Sequence, residues 1–285
     1  MTEAAAASAH SAEDWAGDTG DIWRANADRF ESMLSPVGNA FLDHAGFAPG
    51  ERVIDIGCGA GGTSLAIARR VGPSGSVTGL DISEALVAES TRRAAATGFT
   101  NVHFVAGDAS VAMPDGAPFD RLFSRFGSMF FADPAAAFAN LHAMVRSGGR
   151  IDLAVWASPQ ENAWLLGARD ILARFVDLPP PDPEAPGPVA LADPERVRRL
   201  LTGAGFGAIE QSLWRGPQLV GGKGSSPTAA AEFMMEAMPT ANAVRAAPDD
   251  IKARIREELI DMLAAYDEGS GVQVPAAAWF ATAFA

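Results

Sequence analysis

Glu51-Arg-Val-Ile-Asp-Ile-Gly-Cys-Gly-Ala-Gly-Gly62 is the stretch on which the fold of this chain turns. Arg52–Ile56 has the composition of a buried strand. Glycines follow at Gly57, Gly59, Gly61 and Gly62, and a helix is expected from about Thr63. A strand, a glycine turn and a helix in this order let a ligand approach bare backbone at a helix N-terminus. Asp55 stands two residues before the first glycine. Taken alone, the unit serves a dinucleotide or another adenosine compound equally well.

Downstream the pattern alternates. Strands are expected at 76–80, 102–106, 120–124 and 150–156, and helices at 63–71, 83–97 and 134–145. Ser83 before Glu84 reads as an N-cap with an acidic first turn. Pro134 reads as a first-turn proline, and Ser147-Gly148-Gly149 as a helix stop. With further strands at 208–213 and 272–284, this predicts an α/β fold: a doubly wound, Rossmann-like, mostly parallel seven-stranded sheet. The rhythm breaks after Trp156. A helical piece at 162–176, a proline-rich run at 179–188, a helix at 193–204 and a helical block at 228–266 follow. They predict helical lid insertions at about 157–190 and 222–268 within a domain spanning 51–285, placed over the sheet's carboxyl edge, where such folds bind ligands. Upstream, residues 14–50 read as an N-terminal helical arm carrying Trp15, Trp23, Phe30, Met33 and Leu34, with a separate helix at 38–45. Residues 1–13 read as a disordered tail.

Composition narrows the function. The 285 residues are 48% hydrophobic, enough for a sizeable core. Lys and Arg total 22 against 35 Asp and Glu, a net charge of −13. That surface repels phosphate backbones and anionic lipid, so neither nucleic acid nor membrane is an expected partner. Cys58 is the single cysteine, which rules out a disulfide framework or a Cys-rich metal site within the chain; no metal is expected. No secretory signal and no run of membrane-spanning length is evident. A cytoplasmic monomer or homodimer acting on a small molecule is the expectation.

Three acids recur in phase with the strands: Asp55 on the first, Asp81 at the end of the second, Asp108 after the third. An acid after the second strand can accept both ribose hydroxyls of an adenosine. Asp108 can accept the adenine amine, with Ile82 and Ala109 flanking the ring. Any one Asp is equally well read as a helix cap. All three, behind a glycine turn, are harder to explain that way.

Gly57, Gly59 and Gly62 also spell the dinucleotide pattern G-x-G-x-x-G, which keeps an NAD(P)-dependent oxidoreductase as the alternative. The wider pattern points elsewhere. Asp55-x-Gly57-x-Gly59-x-Gly61, Gly79-Leu-Asp81-Ile-Ser and Ala106-Gly-Asp108-Ala together resemble the class I S-adenosylmethionine-dependent methyltransferases. The segment from Phe119 through Ser124-Arg125-Phe126 to Met129-Phe-Phe131, then Asp133-Pro134 and Ser147-Gly148-Gly149, is similar to the ubiquinone and menaquinone biosynthesis branch. The resemblance implies S-adenosylmethionine as cofactor and methyl transfer to the O, N or C atom of a small aromatic or apolar metabolite. It implies Asp55 and the turn Gly57, Cys58, Gly59 and Gly61 at the methionine end. It implies Asp81 at the ribose, Asp108 and Ala109 at the adenine, and Ser124 and Arg125 beside the reacting centre. The insertions are longer than in the quinone enzymes, so their substrate does not carry over.

No catalytic base stands out. His44, His103 and His142 avoid the strands' carboxyl ends, and Tyr266, the single tyrosine, suits helix packing. Cys58 reads as a small packing residue and not a nucleophile. Trp23, Phe126, Met129 and Trp156 are the candidate walls of an apolar substrate pocket, whereas Phe130 and Phe131 read as core. The alternative oxidoreductase lacks a Tyr-x-x-x-Lys pair, because Tyr266 is followed by Asp-Glu-Gly-Ser.

Overall fold

The structure is a computed structural model that describes residues 12–178, 180, 182–238 and 241–285. The tail expected over 1–13 therefore lies outside the described residues as far as residue 11, as do two prolines of the 179–188 run.

Three helices open the chain: α1 (Ala12–Ala16), α2 (Asp18–Ala25) and α3 (Ala27–Ala45). There follow β1 (Arg52–Ile56), α4 (Gly62–Val71), β2 (Ser76–Asp81), α5 (Glu84–Thr97), β3 (Val102–Ala106), β4 (Phe119–Arg125), α6 (Pro134–Ala143) and β5 (Val145–Trp156). The remainder is α7 (Ala163–Leu172), α8 (Pro194–Ala204), β6 (Gly207–Leu219), α9 (Pro227–Ala237), α10 (Ala241–Ala246), α11 (Asp249–Ala264) and β7 (Gln273–Phe284). The strands form one seven-stranded sheet in the order β3-β2-β1-β4-β5-β7-β6. All neighbours are parallel except β7, which runs antiparallel to both β5 and β6.

From β1 the chain walks outward through β2 to β3, and from β4 it walks the opposite way. Right-handed crossovers then put α4 and α5 on one face and α6 and α8 on the other. With both faces covered, the central strands bury nearly every residue: Val53, Ile54, Leu122, Phe123, Leu153 and Val155 are all fully inaccessible. The Ser83 hydroxyl caps α5 by accepting the Leu86 N–H, as expected. Asp133 caps α6 in the same way through Ala136, ahead of Pro134.

Three elements depart from expectation. The arm's last helix is not a separate piece at 38–45, for α3 runs unbroken through Pro36. Proline cannot donate to the carbonyl four residues back, and the Ser35 hydroxyl takes over that acceptor, bonding Ser32 O at 2.8 Å. β5 begins at Val145 and not at 150, so Ser147-Gly148-Gly149 lies inside the strand, where Gly148 adopts φ +70°. β6 continues past 213 through Gly216 and Pro217 to Leu219. Proline is tolerated there because β6 is the sheet's edge strand.

Candidate active site

The two walks diverge between β1 and β4, and a cleft opens at the carboxyl ends of the strands on either side. A cavity of about 430 Å³ occupies it, within the range of small-molecule sites. Its floor is built from strand ends: Gly57 and Gly59 after β1, Asp81 and Ile82 after β2, Asp108 and Ala109 after β3, and Arg125 and Phe126 after β4. Its roof comes from the arm and from α9 and α10.

The turn after β1 needs glycine for a stated reason. Gly57 has φ +67°, and a Cβ there would lie 2.8 Å from the Cα of Gly127 in the turn after β4. Two bare backbones thus pack against each other at the divergence point. The turn is also tied sideways to β2. Gly57 and Cys58 donate to Leu80 O at 2.8 and 3.2 Å, and Gly59 N–H donates to Asp81 Oδ2 at 2.8 Å. The other oxygen of Asp81 accepts Ser83 N–H at 3.0 Å. Burial raises the Asp81 carboxyl above its ordinary range, while the N–H bonds from Ser83, Gly59 and Ile82 pull it back. A carboxylate has about four acceptor sites, so Asp81 can hold the turn and still receive donors from the cavity.

Three expected cofactor contacts do not line the cavity. Asp55 is buried beneath the turn, where one oxygen accepts both Thr63 Oγ1 at 2.7 Å and Ser64 Oγ at 2.6 Å. It fastens the start of α4 to β1. Burial lifts its carboxyl to about 6, partly offset by the two hydroxyls and by Arg125. Ser124 is equally inaccessible and donates to Ile56 O at 2.9 Å, which ties β4 to the end of β1. Gly61 opens α4 with φ +85° and packs against Ser90 and Phe104, away from the cleft. Cys58 does line the cavity, and burial beside Asp81 and Asp55 pushes its thiol well up, so it stays neutral.

On the far side of the floor, Asp108 Oδ1 accepts Ser110 N–H at 2.8 Å. From α6, Asn140 Nδ2 pins the same loop through Ala109 O and Ala112 O. Trp23, Phe126, Met129 and Trp156 line the chamber. Phe126 and Trp156 stack with centroids 4.0 Å apart, and Trp164 meets Trp156 edge-on at 5.3 Å. Phe126 pays a backbone cost for this place, with φ +65° in a region bulky side chains avoid. Phe130 and Phe131, read as core from sequence, are half-buried and line the cavity as well.

Sequence reasoning missed Glu31. It projects from α3 to Arg125, whose guanidinium donates to it at 2.6 Å, and both line the cavity. The Glu31 carboxylate lies so near Gly62, at the start of α4, that a Cβ there would be 2.4 Å from it. No local signal marks this residue; it sits beside the apolar positions Phe30, Met33 and Leu34 of an amphipathic helix. The arrangement bears on the ligand. A dinucleotide rests its pyrophosphate on turn N–H groups at the helix N-terminus. Here the N–H groups of Gly57, Cys58 and Gly59 already have acceptors, and a carboxylate stands at that helix end.

Residues 47–165 match the family model of the methyltransferase domain. That stretch is similar to methyltransferase domains. Relatives of this domain include nocamycin O-methyltransferase of Saccharothrix syringae, 35% identical over 62% of this chain and 61% of that protein. Another is aklanonic acid methyltransferase DauC of Streptomyces sp. strain C5, 32% identical over 42% of this chain and 54% of that protein. Demethylmenaquinone methyltransferases are also among the relatives, in keeping with the sequence resemblance. The chain thus spans less than two thirds of the length of the curated relatives quoted. The fold is that of phosphoethanolamine N-methyltransferase 2 of Haemonchus contortus, solved with S-adenosylhomocysteine (TM-score 0.55, 15% identity, 94% of this chain and 60% of that one). None of these matches supports the oxidoreductase alternative. No helix among the described residues is long and apolar enough to cross a membrane.

Proposed function

We propose that the protein transfers the methyl group of S-adenosylmethionine to a small aromatic or apolar metabolite. The observation that carries this reading is the Glu31–Arg125 pair at the α4 N-terminus, in one cavity with Asp81 and Asp108. The paired charges suit the two ends of a zwitterionic amino acid, with Arg125 for its carboxylate and Glu31 for its ammonium. Asp81 suits a ribose diol and the Asp108–Ala109 loop an adenine. Asp55, Gly61 and Ser124 hold the floor in shape from beneath.

When bound, S-adenosylmethionine supplies a sulfonium methyl, an electrophile with its leaving group already attached. The work left to the protein is alignment and exclusion of water. The stacked Phe126–Trp156 wall, closed by Met129 and Trp164, orients a flat acceptor. Trp15 and Trp23 of the arm, with ring centroids 5.4 Å apart, close the cavity from above. The carboxylates Asp81, Asp108 and Glu31 favour a cationic ligand in the floor.

His44, His103 and His142 take no part in the cavity: His44 lies 3.4 Å from Thr282 Oγ1, His103 3.0 Å from Thr78 Oγ1, and His142 packs edge-on to Phe206. The name of the nocamycin O-methyltransferase relative favours an oxygen acceptor. The same reading takes the protein as a cytoplasmic monomer or homodimer, for which sedimentation is the measure. Calorimetry with S-adenosylhomocysteine tests the core of the proposal: micromolar binding is expected, and no binding at millimolar ligand defeats it.

A further inference from the structure

The roof of the cavity carries a charge that the methyl-transfer reading does not use. Two arginines line the cavity among the described residues, Arg125 and Arg245. Arg125 is neutralised by Glu31. Arg245, on α10, is not. One of its terminal nitrogens donates to the backbone carbonyl of Glu236 at 3.2 Å, and the other donates to the side-chain oxygen of Asn242. It forms no ion pair with a carboxylate among the described residues. Glu236 shares the rim, but gives Arg245 its carbonyl and not its carboxylate.

A guanidinium has five N–H donors in a fixed fork. Two bonds hold this one in place and leave donors over. Asn242 also lines the cavity, so the pair forms a steadied, solvent-exposed polar corner at its mouth. The floor is acidic and suits a cation, whereas this corner suits an anion. In a chain of net charge −13 a local cation at the mouth also offsets the repulsion an anionic acceptor would meet on approach.

We infer that Arg245, steadied by Asn242, determines acceptor specificity: it receives an anionic oxygen group of a planar aromatic acceptor whose ring lies against Phe126 and Trp156. The acceptor class is then an aromatic acid. This inference rests on the methyl-transfer reading and adds the acceptor's charge to it.

The test uses the full chain loaded with S-adenosylhomocysteine and two matched probe pairs, naphthoic acid with naphthamide and anthraquinone carboxylate with its carboxamide. Binding is followed by tryptophan fluorescence, since Trp23, Trp156 and Trp164 line the chamber, and by calorimetry. Wild type is expected to prefer each acid to its amide by on the order of 10- to 100-fold, the span of a charge-assisted hydrogen bond. Arg245→Gln is expected to abolish the preference and Arg245→Lys to keep part of it, with S-adenosylhomocysteine affinity as the control for folding. Equal binding of acid and amide by wild type overturns the inference. So does an acid preference that survives in Arg245→Gln, or no binding of either acid at millimolar concentration. Failure of wild type to bind S-adenosylhomocysteine at all is a different result, and removes the methyl-transfer reading itself.

Discussion

Glu31 and Arg125 are 94 residues apart in sequence and joined by a 2.6 Å ion pair at the cavity wall. The arm's α3 and the sheet's β4 meet there, next to the start of α4. The Arg125 side chain is 10% exposed and Glu31 30%, so removing one partner strands a largely buried charge on the other. Glu31→Gln keeps the shape and removes the charge. It is expected to weaken S-adenosylhomocysteine binding by roughly tenfold and to lower stability by about 1–2 kcal/mol. Calorimetry and urea unfolding measure the two effects; unchanged affinity with reduced stability would make the pair purely structural.

Gly62 gives a way to disturb the same pair without removing it. A Cβ at this position meets the Glu31 carboxylate at 2.4 Å, the mobile end of a side chain that can swing aside. Gly62 is the first residue of α4 and has no left-handed φ, so its backbone admits alanine. Gly62→Ala is therefore expected to fold with near-normal stability yet bind S-adenosylhomocysteine several-fold more weakly. Equal affinity in the two proteins would argue against a ligand contact for Glu31.

Asp81 has two jobs in this geometry, accepting Gly59 and Ser83 N–H groups and offering its remaining acceptor sites to the cavity. Asp81→Ala is expected to cost about 1.5–3 kcal/mol of S-adenosylhomocysteine binding, the range for hydrogen bonds to a charged group. An affinity within experimental error of wild type would remove the ribose assignment.

Asp55 makes a pH prediction. Burial lifts its carboxyl from 3.8 to about 6, so ionising it inside the fold costs ~3 kcal/mol more than in the unfolded chain. Its contribution to stability is largest below pH 3.8 and is lost as the pH rises through about 6. Asp55→Asn has no proton to lose and keeps an acceptor for Thr63 and Ser64. The stability of wild type relative to Asp55→Asn is expected to rise by roughly 1 kcal/mol on going from pH 7 to pH 5. Urea unfolding of both proteins across that interval is the measurement, and a difference that stays flat with pH would contradict the buried carboxyl.

Asn162 locks the segment between β5 and α7 to the sheet. Its amide nitrogen donates to Ala157, Ser158 and Ala277 carbonyls, and its oxygen accepts Ala277 N–H and Trp164 Nε1. The residue is fully buried. Asn162→Ala leaves several of these groups without partners and is expected to destabilise the protein by roughly 2–4 kcal/mol, read from thermal or urea unfolding. A loss below 0.5 kcal/mol, taken as roughly the scale of surface changes, would show that the segment after β5 does not depend on it.

Local chemistry sufficed for the framework. The strand, glycine turn and helix around Gly57, the Ser83 cap, the first-turn proline at Pro134 and the apolar runs of β1, β4 and β5 are each written in a few adjacent residues, and alternating elements leave few topologies open. Where neighbours distant in sequence decide, local reading failed. A local device was overlooked too: Ser35 bonds the Ser32 carbonyl that Pro36 leaves unpaired, and one helix stands where a break was expected. Pro217 is admitted to β6 because that strand lies at the sheet's edge. Asp55, Gly61 and Ser124 fit a ligand-binding motif in sequence, but packing against Thr63, Ser90 and Ile56 leaves them out of the cavity lining. Glu31, Trp164 and Arg245 carry no motif, because what qualifies each is a partner set by packing: Arg125 from far along the chain, and Trp156 and the carbonyl of Glu236 on neighbouring elements. Periodicity and turn chemistry act over a handful of bonds and therefore fix elements, whereas the lining of a cavity is fixed by long-range packing, which has no local code.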